Sequence, residues 1–362
     1  MPASLRSEFP VLERIAYLNA GSVGPVPRTA ATAASAEIDR QLAEGRGGTD
    51  GFERMLDLAD RLRARVAGLV GCEPVALALT GATTDGVNAV VGGLDLGPGD
   101  EVLTSDEEHP GLLAPLAAAR ERHGISIRVV PFAELAQATR PDTKLIACSH
   151  VSWRTGRVAD TAGLAACGQP VLLDGAQALG AVPVDVEALG CDFYAASGQK
   201  WLCGPIGSGY LYVRPDRLGD LAPIAPGYGT LEDPSEALGY GLREGAARFD
   251  AGLMPSHHSA WAHAALDTLE GAGIDSVLAR GPELAQRLAS DLAAKGLVVA
   301  PRGRSTLISW EAGDPEAESK RLLAQGFLIR HLPGTSYVRA SVGAWTSEEE
   351  LAGLAAAATS GS

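Results

Sequence analysis

Between about residues 70 and 215, seven short β-rich apolar runs alternate with helical patterns, and this alternation leaves the chain few architectures. The runs are VALALT (75–80), EVLTS (101–105), IRVVPF (127–132), KLIACSH (144–150), VLLDGAQ (171–177), DFYAASG (192–198) and GYLYVR (209–214). Runs this apolar are covered on both faces, so the reading is an α/β fold with a mostly parallel seven-stranded sheet between helices. Val87, Val90, Val91 and Leu94 recur at i, i+3, i+4 and i+7, so GATT (81–84) opens an amphipathic helix directly after the first strand.

After Arg214 the stretch DRLGDLAPIAPGYGTLEDPSEALGYG is too long and too rich in turn residues for an ordinary connection, and such loops are often functional. From about residue 255 the pattern changes. Helical segments near 256–271, 281–295 and 314–325 flank short strands at LVVAP, STLISW and FLIR, and SEEELAGLAAAA closes the chain. The expected division is a large domain over 15–250 and a small α+β domain formed by 1–14 and 251–362.

Charge narrows the partners. Thirty Lys+Arg against 44 Asp+Glu give a net −14, which provides no basic field for nucleic acid or an anionic bilayer, so an anionic ligand needs a locally electropositive site. The five cysteines, Cys72, Cys148, Cys167, Cys191 and Cys203, show neither a disulfide framework nor paired metal-ligand spacing, which fits a reducing cytoplasm and no metal site. Glu8 and Glu13 stand where a secretory apolar segment would lie, and no apolar run approaches the roughly 18 residues of a membrane span, so neither export nor anchoring is expected.

The candidate chemistry begins at SGQKWLCGPIGSG, where Lys200 follows a strand end beside Trp201 among small residues. Partial desolvation there lowers an amine's pKa and suits Schiff-base formation, although a single lysine near a strand end is more often solvated. Asp174 ends the very apolar strand VLLD, at the edge where α/β sheets bind ligands. A carboxylate there either caps the next helix or pairs with a cation such as a protonated ring nitrogen. GATT offers backbone N–H groups and hydroxyls at a helix start, which can hold a phosphate. Lysine, aspartate and phosphate cradle together describe a phosphorylated aromatic aldehyde, pyridoxal 5'-phosphate.

Over nearly its whole length the chain resembles the class V aminotransferase family of fold-type I pyridoxal-phosphate enzymes. The resemblance rests on YLNAG, TGATTDGVN, DEEHPG, HVSWRTG, LLDGAQALG, SGQKWLCGPIGSG, REGAARFDAG and YVRASVG in this order. It implies that Lys200 holds the cofactor as a Schiff base and then moves protons at the substrate, that Asp174 pairs with the pyridinium nitrogen, and that His109 stacks on the ring. It further implies that Gln177 bonds the phenolic oxygen and that Thr83, Thr84, Ser197 and Gln199 hold the phosphate. Arg339 in YVRAS matches the carboxylate-binding arginine, and Asn19 a position on the substrate side. His123, His257, His258 and His331 have no such support. A homodimer is implied as well.

The departures sharpen the activity. Family members that transfer sulfur carry a nucleophilic cysteine shortly before the arginine motif, whereas here that stretch reads FLIRHLPGTSYVRAS. The sequence therefore looks most like the cyst(e)ine C–S lyases of the group, which cleave Cβ–S of cysteine, cystine or an S-substituted cysteine without a protein thiol. An epimerase resembling isopenicillin N epimerase, or a decarboxylating deaminase of a cysteine conjugate, stays open, because these differ only in which bond at Cα breaks. A non-catalytic regulator is disfavoured by retention of Lys200, Asp174, His109 and Arg339, and because no segment for a DNA-binding module precedes YLNAG. Gln199 replaces the usual histidine before the lysine. Arg154 in SWRTG replaces a frequent asparagine, and either recruits an additional acid group or points to solvent. Leu253 falls where related enzymes place a threonine that reaches the neighbouring subunit's phosphate, a contact that Ser256 would have to supply.

Overall fold

In the computed structural model, residues 3–250 and 252–359 are described. A short strand β1 (Ala16–Tyr17) precedes the main sheet. That sheet comprises β2 (Leu77–Thr80), β3 (Glu101–Ser105), β4 (Ser126–Val130), β5 (Thr143–Ser149), β6 (Val171–Asp174), β7 (Phe193–Ser197) and β8 (Gly209–Val213). The spatial order is β2-β8-β7-β6-β5-β3-β4. β8 runs antiparallel to both neighbours and the remaining pairs are parallel. Each expected run overlaps one of these strands to within a residue at its start or contains it.

Side chains along the strands alternate between two cores. Leu173 of β6 faces one and Leu172 the other; Leu77 and Leu79 of β2 join the first while Ala78 joins the second. This double burial is why the strands read as continuous apolar runs instead of alternating ones.

The C-terminal part holds β9 (Leu307–Glu311), β10 (Phe327–Leu328), β11 (Arg330–His331) and β12 (Tyr337–Ser341). β12 lies between β11 and β9, antiparallel to both. β1 pairs in parallel with β10, and Ala16 and Leu18 pack with Leu284, Leu288, Trp310 and Leu354. Ala16 and Leu18 thus join the core of the C-terminal unit, while Leu5, Phe9, Leu12 and Ala20 belong to the core beside the large sheet. The boundary expected after residue 250 precedes a helix that packs on the large unit. Helix Ser256–Gly271 packs on helices Arg28–Glu44 and Thr49–Val70 of the large unit, because its buried stripe Ala262, Ala265, Leu266 and Leu269 meets Leu62 and Val66. Ala251, at that expected boundary, lies outside the described residues, as do residues 1, 2 and 360–362.

The glycine-rich stretch after β8 winds through four short 3-10 turns, Pro215–Asp220, Tyr228–Thr230, Pro234–Gly239 and Gly245–Phe249. It ends at Asp250, whose carboxylate pairs with buried Arg63 at 2.8 Å and accepts from the Leu79 N–H at 2.8 Å. That clasp fixes the edge strand β2, and with it the helix start that follows. Among the described residues no helix is long and apolar enough to cross a membrane.

Candidate active site

The C-terminal ends of the strands open into a chamber of about 370 Å³. The sheet's strand order brings residues distant in sequence to this one edge. From the large unit it collects Thr83, Thr84, His109, Trp153, Asp174, Gln177, Ser197, Gln199 and Lys200; from the small unit, Arg330 and Arg339; and from the N-terminal loop, Gly21, Ser22 and Val23. Among the described residues Asp174 is the only carboxylate lining it, against three basic side chains. The local electropositivity demanded by the net charge is thus built from Lys200, Arg330, Arg339 and a helix start.

Lys200 sits on a turn just past β7. Burial, aided by Arg339 and Arg330 and opposed by Asp174, pushes its amine down to about 8, so roughly a tenth of it is neutral at pH 7, far more than for a solvated lysine. Asp174 is buried at the end of β6, and Oδ1 accepts from the Ala176 N–H at 2.9 Å. Burial raises its pKa and Lys200 counteracts this; among the described residues no cation lies in ion-pair contact with it. An anion held this way is completed by a cationic ligand atom.

His109 caps helix Pro110–His123, its Nδ1 accepting from the Gly111 N–H at 2.9 Å, so Nε2 carries the proton of the neutral ring. Burial and the cations Lys200, Arg330 and Arg339 push its pKa down to about 4. Gln177 is held at both ends: Nε2 donates to the Gly21 carbonyl at 2.7 Å and Oε1 accepts from Trp201 Nε1 at 3.1 Å. One amide hydrogen remains for a ligand. Thr83 Oγ1, Ser197 Oγ and Gln199 Oε1 are buried without partners. Helix Thr83–Gly93 begins at Ala82 with no side-chain cap, which leaves its first N–H groups to a ligand as well. Arg339 is fully buried; Nη1 donates to the Trp153 carbonyl at 2.6 Å, while Nε and Nη2 have no partner. Burial, with a smaller effect of Arg330, pushes this guanidinium down to about 9.

Two expected residues do not line the chamber. Asn19 accepts from Ser22 Oγ at 2.8 Å and supports the loop that forms the wall. Arg154 turns away, its Nη1 toward the Asp106 carbonyl at 3.5 Å. The second guanidinium belongs instead to Arg330, which the sequence reading missed. Arg330 lies directly opposite Arg339 in the β11–β12 register, so both side chains leave the hairpin on one face. Its Nη1 donates to Ser22 Oγ at 3.2 Å. A signal existed in FLIR and YVRAS joined across Pro333-Gly334, a hairpin pattern that pairs the two arginines. Ser256 is also committed elsewhere, its Oγ accepting from Gln41 Nε2 at 2.7 Å, and Leu253 lines a separate apolar cavity with Tyr228 and Ile224.

Behind the chamber, Glu108 is buried and accepts from Ser105 Oγ, from Ser149 N–H at 2.8 Å and from Ser149 Oγ at 2.6 Å. Burial, with the nearby Asp174 charge adding to it, pushes its carboxyl up to about 8.

The Aminotransferase class-V family model matches residues 16–352. A probable cysteine desulfurase of Methanothermobacter thermautotrophicus is 31% identical over 297 residues, covering 78% of this chain and 74% of that protein. An isopenicillin N epimerase of Streptomyces clavuligerus is 30% identical over 383 residues, covering 94% and 93%. The solved structure of the cystine C–S lyase C-DES with its reaction product cysteine persulfide superposes with a TM-score of 0.92 at 28% identity, covering 97% of this chain and 99% of that one. Another C-DES structure, also at 0.92 and 28%, covers 98% of both chains and carries glycine covalently linked to its pyridoxal phosphate cofactor. With these matches spanning the large unit, the small unit and the chamber between them, the chain belongs to the class V aminotransferase family.

Proposed function

We propose that the protein is a pyridoxal-phosphate-dependent C–S β-lyase that converts cystine, cysteine or an S-substituted cysteine, with one water, to a thiol or persulfide, pyruvate and ammonia. The observation that carries this reading is the chamber's set of unmet groups: a carboxylate at Asp174 that has no ion-pair partner among the described residues, hydroxyls without hydrogen-bond partners at Thr83 and Ser197, and an unpaired guanidinium edge at Arg339. These fit, in turn, a ring nitrogen, a phosphate and an amino-acid carboxylate.

When bound, pyridoxal phosphate supplies an electron sink for negative charge at the substrate's Cα. Lys200 would be the amine that holds the cofactor, and it is the base placed to take the substrate's Cα proton. Asp174 would pair with the ring nitrogen. Neutral His109, pinned through Nδ1, would offer a flat ring face, and Gln177, with one amide hydrogen left over, would donate to the phenolic oxygen. Thr83, Thr84, Ser197 and Gln199 would hold the phosphate. Arg339 fixes the α-carboxylate in a bidentate grip, and Arg330 receives a distal carboxylate such as the second one of cystine.

No cysteine lines the chamber among the described residues, and Cys203, near the Lys200 turn, is buried with its thiol pKa pushed well up. That favours release of a small-molecule persulfide over a protein-bound one. The likeness to isopenicillin N epimerase supports a second reading, proton return to Cα without loss of sulfur; a decarboxylating deaminase of a cysteine conjugate is the third. The five free thiols support a cytoplasmic setting. A homodimer is supported by an apolar cavity of about 430 Å³ beside exposed Ile224, Tyr228 and Leu253; a monomeric sedimentation coefficient for the cofactor-loaded protein would contradict it.

The decisive experiment incubates the loaded protein with cystine and a panel of S-substituted cysteines in D₂O. Stoichiometric pyruvate and thiol or persulfide support the lyase. Deuterium at Cα with racemised substrate and no pyruvate selects the epimerase, and carbon dioxide release selects the deaminase. Wild-type turnover by Lys200→Ala refutes all three.

A further inference from the structure

Trp153 stands on the loop after β5, and three of its features point into the chamber. Its indole Nε1 is buried without a hydrogen-bond partner while the residue lines the chamber that holds Lys200 and Asp174. Its ring meets His109 edge-on, with centroids 5.0 Å apart and planes at 88°. Its carbonyl accepts the 2.6 Å hydrogen bond that aims Arg339.

An indole N–H can only donate, and leaving it buried without an acceptor carries an uncompensated desolvation cost. Arg339 presents the same deficit at Nε and Nη2. Three unpaired donors, one on the Trp153 indole and two on the guanidinium that the Trp153 backbone carbonyl holds, call for an acceptor with several lone pairs. A carboxylate has about four such sites on two oxygens, whereas a thioether or disulfide sulfur accepts only weakly. The phosphate has its own unpaired partners in Thr83 and Ser197.

We propose that Trp153 is a specificity-determining residue whose indole N–H is the third donor to the substrate's α-carboxylate, while its carbonyl and ring hold Arg339 and His109 in place around that group. This rests on the amino-acid reading above. Trp153→Phe is the informative change, because it keeps an aromatic ring against His109 and the backbone carbonyl on Arg339 and removes the N–H.

The test measures ligand affinity of the cofactor-loaded protein from the cofactor's absorbance, using glycine, which has a carboxylate and no leaving group, and methylamine, which has no carboxylate. Trp153→Phe should weaken glycine binding roughly 10-fold or more, the loss of one charge-assisted hydrogen bond, and leave methylamine affinity unchanged. With a cleaved substrate, KM rises by a similar factor while kcat stays within about threefold. Unchanged glycine affinity overturns the proposal. Equal weakening of glycine and methylamine also overturns it, since that reports general damage to the chamber. A wild-type protein that responds to methylamine but discriminates no carboxylate overturns the amino-acid reading itself, an outcome read before any variant is made.

Discussion

Replacing Gly21 by alanine tests whether the chamber's geometry is set by contact between the N-terminal loop and the two units it joins. The backbone at Gly21 does not adopt a positive φ, so an alanine there meets no conformational penalty and only space decides the outcome. A Cβ at Gly21 would stand 2.7 Å from Ser341 Oγ, 2.9 Å from Gln177 Oε1 and 3.0 Å from Arg339 Nη2, against the 3.4 Å at which ordinary contact begins. The neighbours must therefore retreat by a few tenths of an ångström. Two of the three are held in place: Gln177 by Trp201 and the Gly21 carbonyl, and Arg339, fully buried, on the Trp153 carbonyl; Ser341 Oγ has no hydrogen-bond partner but is buried and has little room to turn. Overpacking of this kind costs about 1–3 kcal/mol of stability. Since a shift of about 1 Å at a positioning group can cost 10²-fold, roughly half that displacement should raise KM by about 10-fold. The assay pairs urea unfolding with steady-state kinetics on cystine. Gly47→Ala is the control, because nothing lies within 4 Å of that position and its φ is not positive. If Gly21→Ala matches the control within twofold in KM and 0.5 kcal/mol in stability, the tight-loop reasoning is wrong.

Arg330→Met should lower kcat/KM for cystine at least 10-fold more than for S-methylcysteine, because only cystine presents a distal carboxylate; equal losses would remove Arg330 from substrate selection. Arg63→Ala should cost about 3–5 kcal/mol by leaving Asp250 buried without its partner, measured by denaturant unfolding. His150, pushed down to about 4 by burial, is neutral when folded and charged when unfolded between about pH 4 and 6.5. The unfolded state then binds the extra proton, so this group's contribution falls as pH falls through that window, by about 1.4 kcal/mol per pH unit. His150→Asn should show a correspondingly shallower pH dependence of unfolding. Glu108, raised to about 8, keeps its proton in the folded state where the unfolded chain has lost it, so stability declines as pH rises toward 8. Glu108→Gln lacks that decline, and between pH 6 and 8 its stability relative to wild type should improve by up to about 3 kcal/mol.

Much of the fold was legible because the signals are local. Seven apolar runs each coincide with a strand of the large sheet, β4 and β5 starting one residue earlier than expected, and the GATT helix begins at Thr83 after β2. Strand ends in a parallel sheet face one edge, so Lys200, Asp174 and the GATT turn with Thr83 were readable as a group before any distance was known, while His109 and Ser197 joined them through the family resemblance. Helix Ser256–Gly271 was legible as an element, with the residues expected, but its allegiance was not. An amphipathic stripe states that a face is buried and leaves open against what.

By itself, then, the sequence determined the α/β layers, the strand-end position of the chemistry and the need for a locally positive site in a chain of net charge −14. Tertiary structure decided which guanidiniums reach the chamber: the β11–β12 register sets Arg330 beside Arg339, while the loop after β5 turns Arg154 outward and Trp153 inward. It also decided that the N-terminal loop, through β1 on β10 and Gly21 against Gln177, closes the wall between the units. The physical reason is that hydrophobic periodicity is fixed by a few consecutive residues, whereas the direction of a side chain into a shared cavity depends on strand register and on pairings between segments, some of them hundreds of residues apart.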